Sequence, residues 1–382
     1  MKVNPNIFKE YDVRGKYPRE INEKVAYQIG RGFIKFLKLK QGNKIVIGRD
    51  KRPSSPKLAT AFISGILDAG INVVDIGETA TPMLYFAVPF LRARGGAMIT
   101  ASHLAKNRNG IKFVKHNAEP ISGEEIKKEV EQVSNTGKKT PSAKKGLVKK
   151  FNIEKDYLET VCKNFNPGKK IRIPHSFDFD ADRLIVKGLR GDIVGGIIGD
   201  AVAKKGDVIV YDLRCSHSIP RYFENKGIIA IPSRAGNYNI KKLMRKKKAV
   251  FGMEITGHYF FEKFSFCESP LYGLRILMEQ ADKTGKTLTE LAKPFIKYNH
   301  SGVINFPAPR RTEKIIEKLK EKYRNGAQNS LDGLTIEFSN WWFNIRQSHT
   351  EPLIRMVVET STPELLEQKK KELSIFFSDY AL

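Results

Sequence analysis

A chain of 382 residues with a net charge of +26 is too long for one domain and predicts two to four. Hydrophobic residues at 41% and charged residues at 28% exclude a disordered chain and supply well-buried cores. Three scattered cysteines, Cys162, Cys215 and Cys267, argue against a disulfide framework or a CxxC zinc site, and no run of about 18 apolar residues reads as a membrane helix.

The first 135 residues alternate strands with helices. KIVIGRD (44–50) reads as a strand, SPKLATAFISGILDAG as a helix ending at Gly70, INVVDIG as a strand, TPMLYFAVPFL as a helix and GGAMITAS (95–102) as a strand. Such alternation predicts a mostly parallel sheet covered by helices, with ligands gathering at the loops where strands end. Residues 136–150 are polar and lysine-rich and read as a linker. In NIEKDYLETVCKNF, Tyr157, Val161 and Phe165 recur every four residues, which predicts a helix; KIRIPHSFDFDADRLIVKG then reads as extended chain. Alternation resumes from Gly191 with a helix, the strand DVIVYD, a helix, the strand IIAIPS, the segment AVFGMEITGHYFF and a long helix near LYGLRILMEQADKTG. After about residue 297, SGVINFPA, GLTIEFSN, WWFNIR and EPLIRMVVET with two helices suggest an α+β domain. The fold class expected is α/β and multidomain, with mixed parallel sheets flanked by helices and a C-terminal α+β domain. The two α/β units could be distant copies of one another.

Four segments carry chemistry. HSFDFDADRLIV places Asp178, Asp180 and Asp182 at alternate positions of an extended chain, so they point the same way and repel unless a cation lies between them. Arg183 and Leu189 stand where an EF-hand needs Gly and Glu. Three carboxylates with little else suit Mg²⁺; a solvated acidic turn is the plainer alternative. ITASHLAKNRNGIKF puts Ser102 at a strand's end, followed by His103, with Lys112 ten residues on. A nucleophilic serine needs a base, a metal or a cation nearby, and a capping serine explains the pair equally. In GMEITGHYFF, Glu254, Thr256 and His258 alternate around a glycine; together they suit vicinal sugar hydroxyls, or form an ordinary hairpin turn. In RQSHTEPLIR, Arg346, Ser348, Thr350 and Arg355 bracket a turn with two guanidiniums and two hydroxyls, a donor set matched to phosphate.

The net charge fits a polyanionic partner, a basic cytoplasm or a site for phosphorylated substrates. Its denser runs, KKTPSAKKGLVKK (138–150) and RKKK (245–248), are not interleaved with aromatics, so solvated helix faces and linker stand beside nucleic-acid binding.

In order, IFKEYDVRG, IVIGRDKRPSSP, TPMLYFAV, MITASH, NGIKF, DFDADR, YDLRCS, FGMEITGHYFF and WWFNIRQSHTEPLIR resemble the α-D-phosphohexomutase superfamily, in its phosphomannomutase/phosphoglucomutase branch. The resemblance runs over nearly the whole chain. It implies four domains giving one loop each to a central cleft: residues 1–149 with the phosphoserine, 150–193 with the metal loop, 194–297 with the sugar reader and 298–382 with the phosphate clamp. It implies an enzyme that interconverts the 1- and 6-phosphates of mannose or glucose through a phosphoserine and a hexose 1,6-bisphosphate. Ser102 would carry the phosphoryl group, with Arg14, His103 and Lys112 beside it. Asp178, Asp180, Asp182 and the phosphoserine would bind Mg²⁺. Tyr11, Arg183, Arg234, Glu254, Thr256 and His258 would meet the sugar phosphate, and Arg346, Ser348, His349, Thr350 and Arg355 the non-reacting phosphate. A cytoplasmic protein without membrane attachment or secretory signal, monomer or homodimer, is expected, with nucleic acid open as a further partner.

The chain departs from the family pattern at several places. Leu104-Ala105 replaces the usual Asn-Pro, Phe179 stands at a usual glycine where its side chain would restrict the backbone, Asn237 replaces a common His, and His349 takes the place of Asn or Gly. The largest departure is a deletion: residues 150–193 are too few to bury a core of their own. They are expected to pack on the first or third domain or on a second protomer. A sugar-phosphate-binding homologue impaired by that deletion is the alternative. A dehalogenase-like phosphatase built on DFDAD would leave the Ser102 and Arg346 segments without a role.

Overall fold

The computed structural model describes residues 3–135, 144–165, 172–308, 312–348 and 353–378. Its first sheet has seven strands. Val13–Lys16, Arg108–Lys115, Gly95–Ile99, Lys44–Arg49, Asn72–Glu78 and Val148–Lys150 lie in that order, and Pro120–Ile121 pairs with Arg108–Lys115. Lys44–Arg49 runs parallel to its two neighbours, whereas Arg108–Lys115 is antiparallel to all of its own. The sheet is therefore mixed rather than mostly parallel: the segment after Ser102 turns straight back as a strand instead of crossing over as a helix. Neighbouring residues of Lys44–Arg49 serve opposite faces, as the pleat requires. Ile45 and Ile47 join the core under helices Glu23–Leu37, Ser55–Asp68 and Gly123–Asn135, while Val46 meets helix Thr81–Phe90. The first two of those helices approach backbone to backbone: a Cβ on Gly65 would lie 2.3 Å from the Tyr27 carbonyl oxygen.

The second sheet repeats the plan. Ile229–Ser233, Val208–Asp212 and Phe251–Met253 are parallel, and Tyr259–Phe261 and Cys267–Glu268 follow antiparallel. This order matches Asn72–Glu78, Lys44–Arg49, Gly95–Ile99 and Arg108–Lys115, so the two α/β units are structural copies. Ser102 and the Glu254–His258 loop occupy the same place in them, between the third strand and the antiparallel fourth.

The short segment between the units has helix Glu154–Val161 and the hairpin His175–Phe177 with Leu184–Val186. Tyr157, Val161, Leu184 and Val186 are buried in the cluster of the second unit, with Ile197, Phe251 and Phe295. The Tyr157 hydroxyl lies 3.0 Å from Ser269 Oγ, and its ring meets Phe86 of the first unit edge-on at 5.5 Å. The segment therefore packs on both units. Phe165 falls beyond the helix end.

Past residue 298 an antiparallel six-stranded sheet, including Trp341–Gln347 and Leu353–Thr360, is backed by helices Thr312–Lys322 and Pro363–Ser378 around Leu319, Phe343, Met356 and Leu373. No helix among the described residues is long and apolar enough to cross a membrane.

Candidate active site

The loops of both units and the C-terminal sheet converge on a cavity of about 250 Å³. Tyr11, Arg14, Ser102, His103, Lys112, Asp182, Arg183, Glu254, Thr256, His258, Arg346 and Arg355 line it. Asp178 and Asp180 stand within the acidic loop but not on the cavity wall, and Ser348 is buried just past strand Trp341–Gln347, its N–H donating to the Leu353 carbonyl at 2.8 Å. Arg234 lines a neighbouring groove and pairs with Glu10 at 3.2 Å. His349 and Thr350 lie outside the described residues.

The acidic loop turns on itself. Asp178 Oδ1 accepts the backbone N–H groups of Asp182 and Arg183, both at 3.1 Å, and Ala181 takes a left-handed φ of 54°. The strained position is therefore Ala181, and Phe179 does not need a glycine's freedom. One carboxylate oxygen from each of Asp178, Asp180 and Asp182 falls within 4.8 Å of the others. Burial and the charges of Asp182 and Asp180 push Asp178 up to about 7. Asp180 Oδ1 is buried with no hydrogen-bond partner among the described residues. A buried acceptor without a donor, inside a set of three carboxylates, fits a hard divalent cation with oxygen ligands.

Lys112 Nζ reaches Asp180 Oδ2 at 2.7 Å and Asp182 Oδ2 at 2.5 Å. Burial alone would lower its pKa, but those two carboxylates outweigh it and hold the lysine charged. Burial would likewise raise Asp182; Lys112 and His258 hold it well below the usual carboxylate range.

Ser102 sits at φ 51°, its N–H tied to Thr100 Oγ1 at 2.8 Å. This left-handed turn at the strand end aims Oγ at Asp178 Oδ2, 3.4 Å away, and at His103 Nδ1, 3.3 Å away. Burial, then Arg183 and Arg14, push His103 down to about 3, so its imidazole is neutral and resists taking up a proton.

Glu254 and His258 face each other across their turn at 2.8 Å, and His258 Nε2 is 3.2 Å from Asp182 Oδ1. Burial alone would lower His258, yet Asp182 leads the interactions that raise it to about 9. The wall is thus an alternating chain of charge, Glu254, His258, Asp182 and Lys112, joining the two units. In the C-terminal sheet Arg346 and Arg355 are register partners, and both line the cavity. Arg346 Nε is buried with no hydrogen bond among the described residues and stands 3.6 Å from Asp332.

Sequence reasoning missed a recurrent device. Asp12-x-Arg14, Asp50-x-Arg52 and Asp212-x-Arg214 each fold the arginine back onto the aspartate two residues earlier, at 2.8, 3.1 and 2.5 Å. The spacing is visible in YDVRG, GRDKR and YDLRC; what is invisible is that these residues come together. Thr81 was missed too. It donates Oγ1–H to Asp180 Oδ2 at 2.8 Å and its N–H to the Asp180 carbonyl at 2.9 Å.

The phosphoglucomutase/phosphomannomutase alpha/beta/alpha domain I model matches residues 5–140, and the domain III model of the same family matches residues 190–298. A phosphomannomutase of Methanocaldococcus jannaschii is 32% identical over 438 aligned positions, covering 96% of this chain and 96% of that protein. A phosphomannomutase of Vibrio cholerae is 28% identical, covering 96% of this chain and 97% of its own. A crystal structure of a phosphoglucomutase/phosphomannomutase family protein from Burkholderia thailandensis shares the fold with a TM-score of 0.84 at 20% identity, covering 99% of this chain and 98% of that one. The 438 positions of the first alignment exceed the 382 residues of the chain, so at least 56 (438 − 382) have no residue here.

Proposed function

The chain belongs to the phosphoglucomutase/phosphomannomutase family and is a mutase enzyme, and from that premise we propose that it interconverts the 1- and 6-phosphates of mannose or glucose through a phosphoserine at Ser102. The observation that carries this reading is the convergence on one cavity of Ser102, the acidic loop, the Glu254–His258 turn and the Arg346–Arg355 pair.

Phosphoryl transfer needs alignment and charge neutralisation. Asp178, Asp180 and Asp182 would hold Mg²⁺, which supplies neutralising charge to a phosphoryl oxygen on Ser102. Lys112 and Arg14 add fixed positive charge on the same wall. His103, neutral and 3.3 Å from Ser102 Oγ, is placed to orient the serine hydroxyl when the phosphoryl group returns to the enzyme; its depressed pKa leaves it a weak base. Glu254, Thr256 and His258 hydrogen-bond the sugar hydroxyls. Arg346 and Arg355 grip the non-reacting phosphate with parallel donors. Two half-reactions follow, with hexose 1,6-bisphosphate turning over between them so that either phosphate meets Ser102.

The test is turnover of mannose 1-phosphate and of glucose 1-phosphate to the 6-phosphate, with Mg²⁺ and a trace of hexose 1,6-bisphosphate. Wild type is expected to turn over and to carry one phosphate by intact mass. Ser102→Ala is expected to lose both. An inactive wild type, or an equally active Ser102→Ala, overturns the reading.

A further inference from the structure

The acidic loop belongs to a segment that buries its apolar residues only in the cores of its neighbours, so contacts outside the segment must set where its carboxylates stand. Asp180 is tied to the first unit by Thr81 and Lys112, and the strand after the loop is tied to the second unit by Leu184 N–H donating to the Gly257 carbonyl at 3.0 Å. Asp178, the carboxylate nearest Ser102 Oγ, has neither of these ties and meets the first unit through that hydroxyl at 3.4 Å. Its neighbour Phe179 has another. Phe179 sits in the turn that Ala181 N–H closes onto the Asp178 carbonyl at 3.1 Å, and its ring lies over the Arg52 guanidinium, 4.8 Å from Cζ to centroid.

Arg52 is 2% exposed, and its own bonds lie in the guanidinium plane. It donates to the carbonyls of Ser102 at 2.5 Å, Leu104 at 2.7 Å, Ala105 at 2.8 Å and Arg108 at 3.2 Å, and holds Asp50 at 3.1 Å. One side chain therefore fastens the whole loop that carries Ser102. The in-plane donors are used, which leaves the guanidinium face for stacking. Phe179 takes that face while remaining 45% exposed and lining no part of the catalytic cavity. A phenylalanine kept half in solvent between two aspartates adds little to any core.

We infer that Phe179 is a positioning residue: its stack on Arg52 locks the acidic loop to the Ser102 loop and fixes the spacing of Asp178 from the serine. The catalytic sense of this lock rests on the function proposed above. In a segment too short for its own core, a contact between side chains does what a larger scaffold would do.

The experiment compares Phe179→Leu with Phe179→Tyr in the full chain. Leucine keeps apolar volume but loses the aromatic face; tyrosine keeps both. Phe179 belongs to no buried cluster, so neither change removes core packing. Phe179→Leu is expected to lower kcat about threefold, the size of a half-exposed cation–π contact, with KM for the hexose 1-phosphate unchanged. Without metal, its amides at 178–182 are expected to exchange hydrogen about threefold faster. Phe179→Tyr is expected to match wild type in both. Unchanged exchange in Phe179→Leu, or a tyrosine variant as impaired as leucine, overturns the inference. An inactive wild type overturns the proposed function instead, and the exchange measurement still decides the lock.

Discussion

Lys112 shows how much one side chain settles here. It is 6% exposed and lies between two buried aspartates, so it is the counter-charge on which the acidic loop closes. Removing one partner of a buried ion set leaves the others uncompensated, at a cost of roughly 3–5 kcal/mol. Lys112→Met is therefore expected to lose about 3 kcal/mol of stability in metal-free buffer, measured by urea denaturation. Millimolar Mg²⁺ is expected to restore part of it; no recovery would mean that the carboxylates do not take the cation. At this scale the sequence was readable wherever chemistry follows from residue type. Asp178, Asp180 and Asp182 read as one acidic set by their spacing, and the structure brings one oxygen of each within 4.8 Å of the others. Phe179 was misjudged because its backbone strain falls instead on Ala181, and the value of its ring depends on Arg52, far away in the chain.

The recurring element is a strand, a chemistry-bearing loop and an antiparallel strand, used once for Ser102 and once for Glu254 and His258. The acidic segment lies against both loops, and at Gly257 the approach leaves no room for a side chain. This glycine has φ 90°, and a Cβ there would meet the Leu184 carbonyl oxygen at 2.6 Å. Gly257→Ala is expected to reduce kcat at least tenfold, since misplacement of about 1 Å costs that and more. Gly188→Ala is the control: φ is 83° but nothing lies within 4 Å, so it should cost stability and spare turnover. Equal loss in both would assign the effect to backbone strain alone. Most strands and helices were legible because their apolar periods are clean. Helix Asn237–Lys247 was not, because its lysines mask the pair Ile240 and Met244 that it buries. Its cations crowd the last turn, where they complement the helix dipole.

Across the whole molecule, the C-terminal sheet meets the second unit through a buried titratable contact. Glu359 accepts from the His217 backbone N–H at 3.0 Å and from Trp342 Nε1 at 2.9 Å, and the His217 ring stacks on Trp342 with centroids 4.5 Å apart. His300 lies 3.0 Å from the Arg214 carbonyl through Nε2 and takes the Gly302 N–H on Nδ1 at 2.9 Å, so its neutral form is the one bonded. Burial, then Arg190, push His300 down to about 4; burial, then Arg221, push His217 there too. Folded values below the unfolded 6.5 mean that the unfolded chain binds more protons as pH falls from 6.5 to 4. Their contribution is complete above that window and is lost through it. Glu359, raised by burial, acts in the opposite direction. The melting temperature is thus expected to fall on acidification between pH 6.5 and 4, with a shallower slope in His300→Gln. An unchanged slope in that variant would remove His300 from the contact.

The sequence by itself determined the α/β and α+β classes and which residues are candidates for nucleophile and phosphate donors, because periodicity and side-chain chemistry are local. Only the tertiary structure decided where the antiparallel strands enter the sheets, that the two units are copies, and that a segment without its own core is held between them. It also decided that Arg234 stands in a neighbouring groove while Arg52, Thr81 and Phe179 hold the loops. Those outcomes depend on residues distant in the chain meeting within a few ångströms, and spacing along one strand of sequence does not encode that distance.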